Sequence, residues 1–188
     1  MSRDALIVGI NQYRSLPALN APAVDAESVA ARLQTQGEFR VQRMPEVIKN
    51  KTATVGQRRG VTSQMLEDAL VQLFKPKGKN IPNTAVFYYS GHGLQRDAGI
   101  QEGYLATSDV DPDSGNFGIS LNWLRRLLQQ SPVRQIVVIL DCCHSGELLS
   151  FRDADPGARS GIDRQLKAAS REYESAYETE EGKNSVYT

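Results

Sequence analysis

Three short apolar runs restrict most what this chain can fold into: residues 5–10 (ALIVGI), 82–89 (PNTAVFYY) and 133–140 (VRQIVVIL). Each is near-continuous in apolar residues, β-rich and too brief for a buried helix, which is the texture of a parallel strand covered on both faces. Segments of helical period lie between them. Residues 22–37 carry Val24, Val29, Ala30 and Leu33 at helical spacing and close on Gly37. Thr62 can cap a helix with Met65, Leu66, Ala69, Leu70, Leu73 and Phe74 on one broad face. Ser120 can cap another, with Leu121, Leu124, Leu127 and Leu128 inward and Arg125, Arg126 and Gln129 outward. Alternating strands and helices predict an α/β fold: a mostly parallel central sheet, helices on both faces, right-handed crossovers.

The weaker segments fill in the plan. Residues 39–43 are short and half polar, as expected of an edge strand, and residues 45–60 are polar with little period, which predicts an exposed loop. Beyond Gly146, FRDADPGARSGIDRQ is rich in Asp, Arg, Gly and Pro and predicts a mobile loop before a short strand at 166–169. With 188 residues, one compact domain is expected.

Lys plus Arg and Asp plus Glu both total 22, so no net field draws the chain to nucleic acid or an anionic membrane. No stretch approaches the roughly 20 apolar residues that cross a bilayer. The apolar part of MSRDALIVGI is too short for a secretory signal, and the only two cysteines are adjacent, a poor start for a disulfide framework. A reducing cytoplasm is the expected setting.

The chemistry concentrates where two of the strands run out. One delivers Ser90-Gly91-His92-Gly93 and the other Asp141-Cys142-Cys143-His144. Ligands of open parallel sheets bind at the carboxyl ends of the strands, and neighbouring strands lie only about 4.8 Å apart, so His92 and a cysteine can meet there. An imidazole beside a thiol raises its thiolate fraction and can later protonate a leaving amine. Side chains of an extended chain alternate, which places Asp141 and Cys143 on one side and Cys142 on the other. Alternation favours Cys143 over Cys142 as nucleophile, and His92 over His144 as base. Adjacent cysteines rarely converge on one ion, so a metal site built from Cys142, Cys143, His144 and His92 is the weaker reading. ALIVGINQY matches neither phosphate-binding fingerprint, which weighs against a nucleotide-binding domain.

YYSGHG, followed about fifty residues later by ILDCCHSGE, resembles the caspase-like cysteine peptidases, specifically the metacaspase and bacterial orthocaspase branch. ALIVGINQY, LPALNAPAVDA and GYLATSD support the resemblance, which runs from about residue 4 to about residue 180. It implies an endopeptidase of caspase-like fold with His92 as acid-base, Cys143 as nucleophile, and the backbone amides of Gly93 and Cys143 as oxyanion hole. It also implies an acidic S1 pocket from Asp25 and Asp141, lined by Ser90, and hence protein or peptide substrates cut after Arg or Lys. Two carboxylates in a pocket favour a cationic side chain and penalise an acidic one.

The chain also departs from the pattern. Pro22 stands where many metacaspases carry a pocket cysteine. Asp109, Asp111 and Asp113 recur from a calcium cluster, but Leu121-Asn122 and Ser150 replace other expected ligands, so no cofactor and no calcium dependence are expected. The resemblance implies a monomer with a p20-like part at about 1–150, a linker at about 151–165, and the start of a p10-like part at about 166–188. Arg152, Arg159 and Arg164 in the linker, and Lys49, Lys51, Arg58 and Arg59 earlier, are candidate self-cleavage sites. The rival expectation is a silent caspase-like module that binds partners, against which both His92 and Cys143 are present.

Overall fold

A computed structural model describes residues 2–78, 80–142 and 163–168. In chain order the elements are β1 (Arg3–Gly9), α1 (Pro22–Thr35), β2 (Arg40–Met44), β3 (Glu46–Lys49), β4 (Thr52–Val55), α2 (Ser63–Phe74), β5 (Thr84–Ser90), β6 (Gly93–Asp97), β7 (Gln101–Leu105), β8 (Ile119–Ser120), α3 (Leu121–Gln129), β9 (Gln135–Asp141) and β10 (Asp163–Ala168). The central sheet has the order β10-β9-β5-β1-β2, and every pairing in it is parallel. The three apolar runs form its middle, β9-β5-β1, where both faces must be covered.

Alternation along these strands builds two cores. Leu6, Val8, Phe87, Tyr89, Val138 and Leu140 pack with Leu66, Leu70 and Phe74 of α2 and Leu124 and Leu128 of α3. On the opposite face Ala5, Ile7, Val86 and Tyr88 pack with Ala23, Ala26 and Ala30 of α1. Helices therefore cover both faces, as the sequence predicts. At Gly9, an added Cβ would lie 2.7 Å from Ala26 Cβ and 2.8 Å from Ala23 Cα, so only a glycine lets α1 sit this close over the end of β1. That close approach sets the start of α1 above the carboxyl ends of the strands.

The helix caps follow the sequence. Thr62 Oγ1 accepts from the Met65 amide at 3.2 Å, and Ser120 Oγ from the Trp123 amide at 3.3 Å. Ala21 has no capping side chain, and Asn11, just past β1, supplies one: its Oδ1 accepts from the Ala23 amide at 2.8 Å.

Two expectations need correction. Residues 45–60 are not all loop, because β3 and β4 form an antiparallel hairpin turned by Asn50 and Lys51, both at positive φ. Glu27 fastens this hairpin to α1 by accepting from the Val55 amide at 2.7 Å and from Arg43 Nε at 3.0 Å. Between His92 and α3, β6, β7 and β8 form a separate antiparallel sheet. Met65 is 46% exposed instead of buried, since it lies one position off the stripe of Leu66, Ala69, Leu70, Leu73 and Phe74. α1 closes on Gly37 as expected, its amide donating to the Leu33 carbonyl at 3.1 Å, and Glu38 beyond it takes the left-handed conformation at φ 54°.

Candidate active site

In register, Gly9 pairs with Ser90 and Ser90 with Asp141, so three strands reach the same level at the carboxyl edge of the sheet. Val86 and Tyr88 of β5, and Val137 and Ile139 of β9, face α1; by alternation Ser90 and Asp141 face it too. Both are buried, at 3% and 5% exposure, and Tyr88 Oη approaches Asp141 Oδ2 at 3.4 Å. Asp25 is fully buried in the first turn of α1, where the helix dipole favours a carboxylate. The fold thus gathers Asp25, Ser90 and Asp141 on one face, at one end of the sheet.

His92 follows Ser90 by two residues and is held through its main chain and its ring. Its amide donates to Tyr13 Oη at 2.9 Å, and its carbonyl accepts from the Ala106 amide at 3.0 Å and from Tyr89 Oη at 2.8 Å. Its ring lies against Tyr13 with centroids 4.7 Å apart. His92 Nε2 sits 2.9 Å from the Pro17 carbonyl oxygen. A carbonyl only accepts, so Nε2 carries a proton, and in the neutral ring Nδ1 presents the free lone pair. Burial raises the Tyr13 and Tyr89 hydroxyls well above the ordinary tyrosine value, so both stay neutral donors at physiological pH.

Cys142 is 2% exposed and packs with the α2 and α3 core, on the side opposite Asp141. Cys143 is the next residue along the chain; it lies outside the described residues, as do His144, Ser150, Arg152 and Arg159. Gly93 opens β6. Arg164 falls inside β10, opposite Ile136 of β9, and so lies in a paired strand instead of a connecting loop.

Of the three aspartates set aside as a calcium remnant, Asp109 already has a structural task. Its Oδ1 accepts from the Ser63 amide at 2.9 Å and from Thr107 Oγ1 at 2.7 Å, tying the start of α2 to the turn after β7. Among the described residues, no three His, Cys, Asp or Glu side chains are grouped to hold a metal ion.

Reading the sequence alone missed Tyr13, Tyr89, Asn11 and the Pro17 carbonyl. The first three stand inside the quoted ALIVGINQY and YYSGHG words, but only folding brings Tyr13 to a residue 79 positions away.

The family model of the caspase domain (Peptidase_C14) matches residues 2–187. The chain belongs to the caspase-domain family. Among solved structures it is similar to protein GSU0716 from Geobacter sulfurreducens, with a TM-score of 0.68 and 20% identity, covering 100% of this chain and 79% of that one. That likeness is one of fold. No curated protein matches the chain. Membership makes this a cysteine-peptidase type of domain with protein substrates as its class, and the parallel sheet between α1 and the α2–α3 layer is the caspase-like fold expected from the sequence. Among the described residues no helix is long and apolar enough to cross a membrane.

Proposed function

We propose that this caspase domain is an active endopeptidase of the metacaspase and orthocaspase branch, cutting after Arg or Lys, with Cys143 as nucleophile and His92 as acid-base. The observation that carries this reading is the holding of His92: a clamped main chain and an Nε2–H donated to Pro17 leave Nδ1 as the basic atom. Cys142 is buried in the core, so alternation leads us to expect Cys143, the next residue, on the side of Asp141.

Nδ1 takes the proton from Cys143 Sγ, and the thiolate adds to the scissile carbonyl. The amides of Gly93 and Cys143 hold the oxyanion of the tetrahedral intermediate, each donor being worth roughly 3 kcal/mol in such sites. His92 then gives the proton to the leaving amine, a thioester remains on Cys143, and water activated by the same imidazole releases the acid and restores the thiol.

Asp25 and Asp141, two carboxylates buried on one face beside Ser90, support a pocket for a guanidinium or ammonium group. Such a group would gain charge-assisted hydrogen bonds there, whereas an aspartate side chain would meet like charge. Self-processing is assigned first to Arg152 and Arg159, since Arg164 would have to leave β10 to enter the site. With Asp109 occupied by α2, catalysis is expected without calcium, from a monomer in the cytoplasm.

Hydrolysis of reporter peptides ending in Arg, Lys or Asp tests the reading. Cleavage after Arg and Lys, abolished in Cys143→Ala and weakened about 10- to 100-fold by Asp141→Asn, supports it. An intact chain that cleaves none of the three peptides is instead a silent module.

A further inference from the structure

Two tyrosines from different strand ends converge on the backbone around His92. Tyr89 Oη lies 2.6 Å from the Ala106 carbonyl oxygen and 2.8 Å from that of His92. Both are acceptors only, so the single Tyr89 proton is directed at them. Tyr13 Oη accepts from the His92 amide. The His92 N–H thus ends on one tyrosine, and the proton of the other ends on the carbonyls that follow it.

These bonds fix both peptide planes that flank His92. Tyr13 holds the plane before it by the amide, and Tyr89 with the Ala106 amide holds the plane after it by the carbonyl. A trans peptide carries its C=O and the following N–H on opposite sides. With the His92 carbonyl turned toward Tyr89 and β7, the Gly93 N–H is turned away from both, free of the ladder to β7. Gly91 leaves room for both hydroxyls, since an added Cβ would lie 2.5 Å from Tyr13 Oη and 2.8 Å from Tyr89 Oη.

We propose that the hydroxyls of Tyr13 and Tyr89 are the positioning pair of this site, setting the His92 imidazole and aiming the Gly93 amide at the oxyanion. The inference rests on the peptidase reading for what the two groups do, but not for their being held. The pair touches no substrate atom and acts through His92 and Gly93.

The experiment compares Tyr13→Phe and Tyr89→Phe with the intact chain, each checked by thermal melting. Two readouts are taken: kcat and KM on an Arg reporter peptide, and the tautomer of the His92 ring from its imidazole 15N signals, with His144→Gln used for assignment. In the intact chain His92 is expected as the Nε2–H tautomer. Each variant should lower kcat about 10-fold or more with KM changed less than about 2-fold, because misaimed groups cost rate more than binding. Each should also shift the ring toward a mixture of tautomers while remaining folded. A folded Tyr13→Phe with unchanged kcat and an unchanged tautomer overturns the proposal. If the intact chain cleaves no peptide, the peptidase reading fails by itself and the tautomer alone decides on the pair: a shift upholds it and no shift overturns it.

Discussion

Replacing Gly91 by alanine puts the histidine clamp under direct load. The new Cβ would stand 2.5 Å from Tyr13 Oη, 2.8 Å from Tyr89 Oη and 3.1 Å from Tyr89 Cζ. Non-bonded carbon and oxygen atoms rest near 3.4 Å, so both hydroxyls must retreat by about 0.6–0.9 Å. Tyr89 is fully buried and its ring has little room to slide. Overpacking of this kind costs about 1–3 kcal/mol, or a fall in Tm of roughly 4–8 °C for the middle of that range in a chain of this size. Activity should suffer more than stability, because a displacement approaching 1 Å at a positioned group can cost about 100-fold in rate. Thermal melting and peptide hydrolysis on the same preparation measure both. A double-mutant cycle isolates the cause: Tyr13→Phe removes one of the two clashing oxygens, so it should cost less in the Gly91→Ala background than in the intact chain, with a coupling of about 0.5–3 kcal/mol. A Gly91→Ala chain as stable and as active as the parent would refute the close approach of these hydroxyls to Gly91.

Glu27→Gln leaves the Arg43 guanidinium, whose side chain is only 6% exposed, without its counter-charge, and weakens the anchor of the β3–β4 hairpin. Because Glu27 is itself 30% exposed the loss is moderate, about 2 kcal/mol, and denaturant unfolding should read it without loss of specific activity. Tyr13 and Tyr89 favour their neutral form in the folded chain, so the stability they contribute is complete below the unfolded tyrosine value and is lost as pH rises beyond about 10. Absorbance at alkaline pH should show these two ionising only as the chain unfolds; all seven tyrosines titrating near pH 10 in a folded chain would contradict this. Cys142→Ala removes a sulfur from the core and should cost about 1 kcal/mol while leaving peptide cleavage within about 2-fold.

The main sheet was legible because β1, β5 and β9 are buried on both faces and therefore written in near-continuous apolar residues. Thr62 and Ser120 could be placed because a capping hydroxyl acts within three residues of itself. The β3–β4 hairpin was harder to see: its turn places Lys51 at φ 65°, where glycine is the usual signal, and its strands are half exposed. Strand β6 is likewise short and polar, and none of its five residues is buried. Alternation alone was enough to send Cys142 into the core opposite Asp141. Asp25 as a pocket residue came only from the family resemblance, since an acid early in a helix has an ordinary explanation in the helix dipole. The pairing of Tyr13 with His92 had no local signature, because a hydrogen bond between residues 79 apart depends on strand order that the chain writes nowhere in one place.

The most direct test of the central claim is to identify the sulfur that reacts. A peptidyl-arginine acyloxymethyl ketone alkylates a thiolate held at the reacting position, which displaces the carboxylate and leaves a thioether that tandem mass spectrometry can locate. The account predicts a single adduct on Cys143, formed slowly or not at all in His92→Ala, with Cys142 unmodified until the chain is denatured. An adduct on Cys142 of the folded chain, or no adduct on either cysteine, would contradict it.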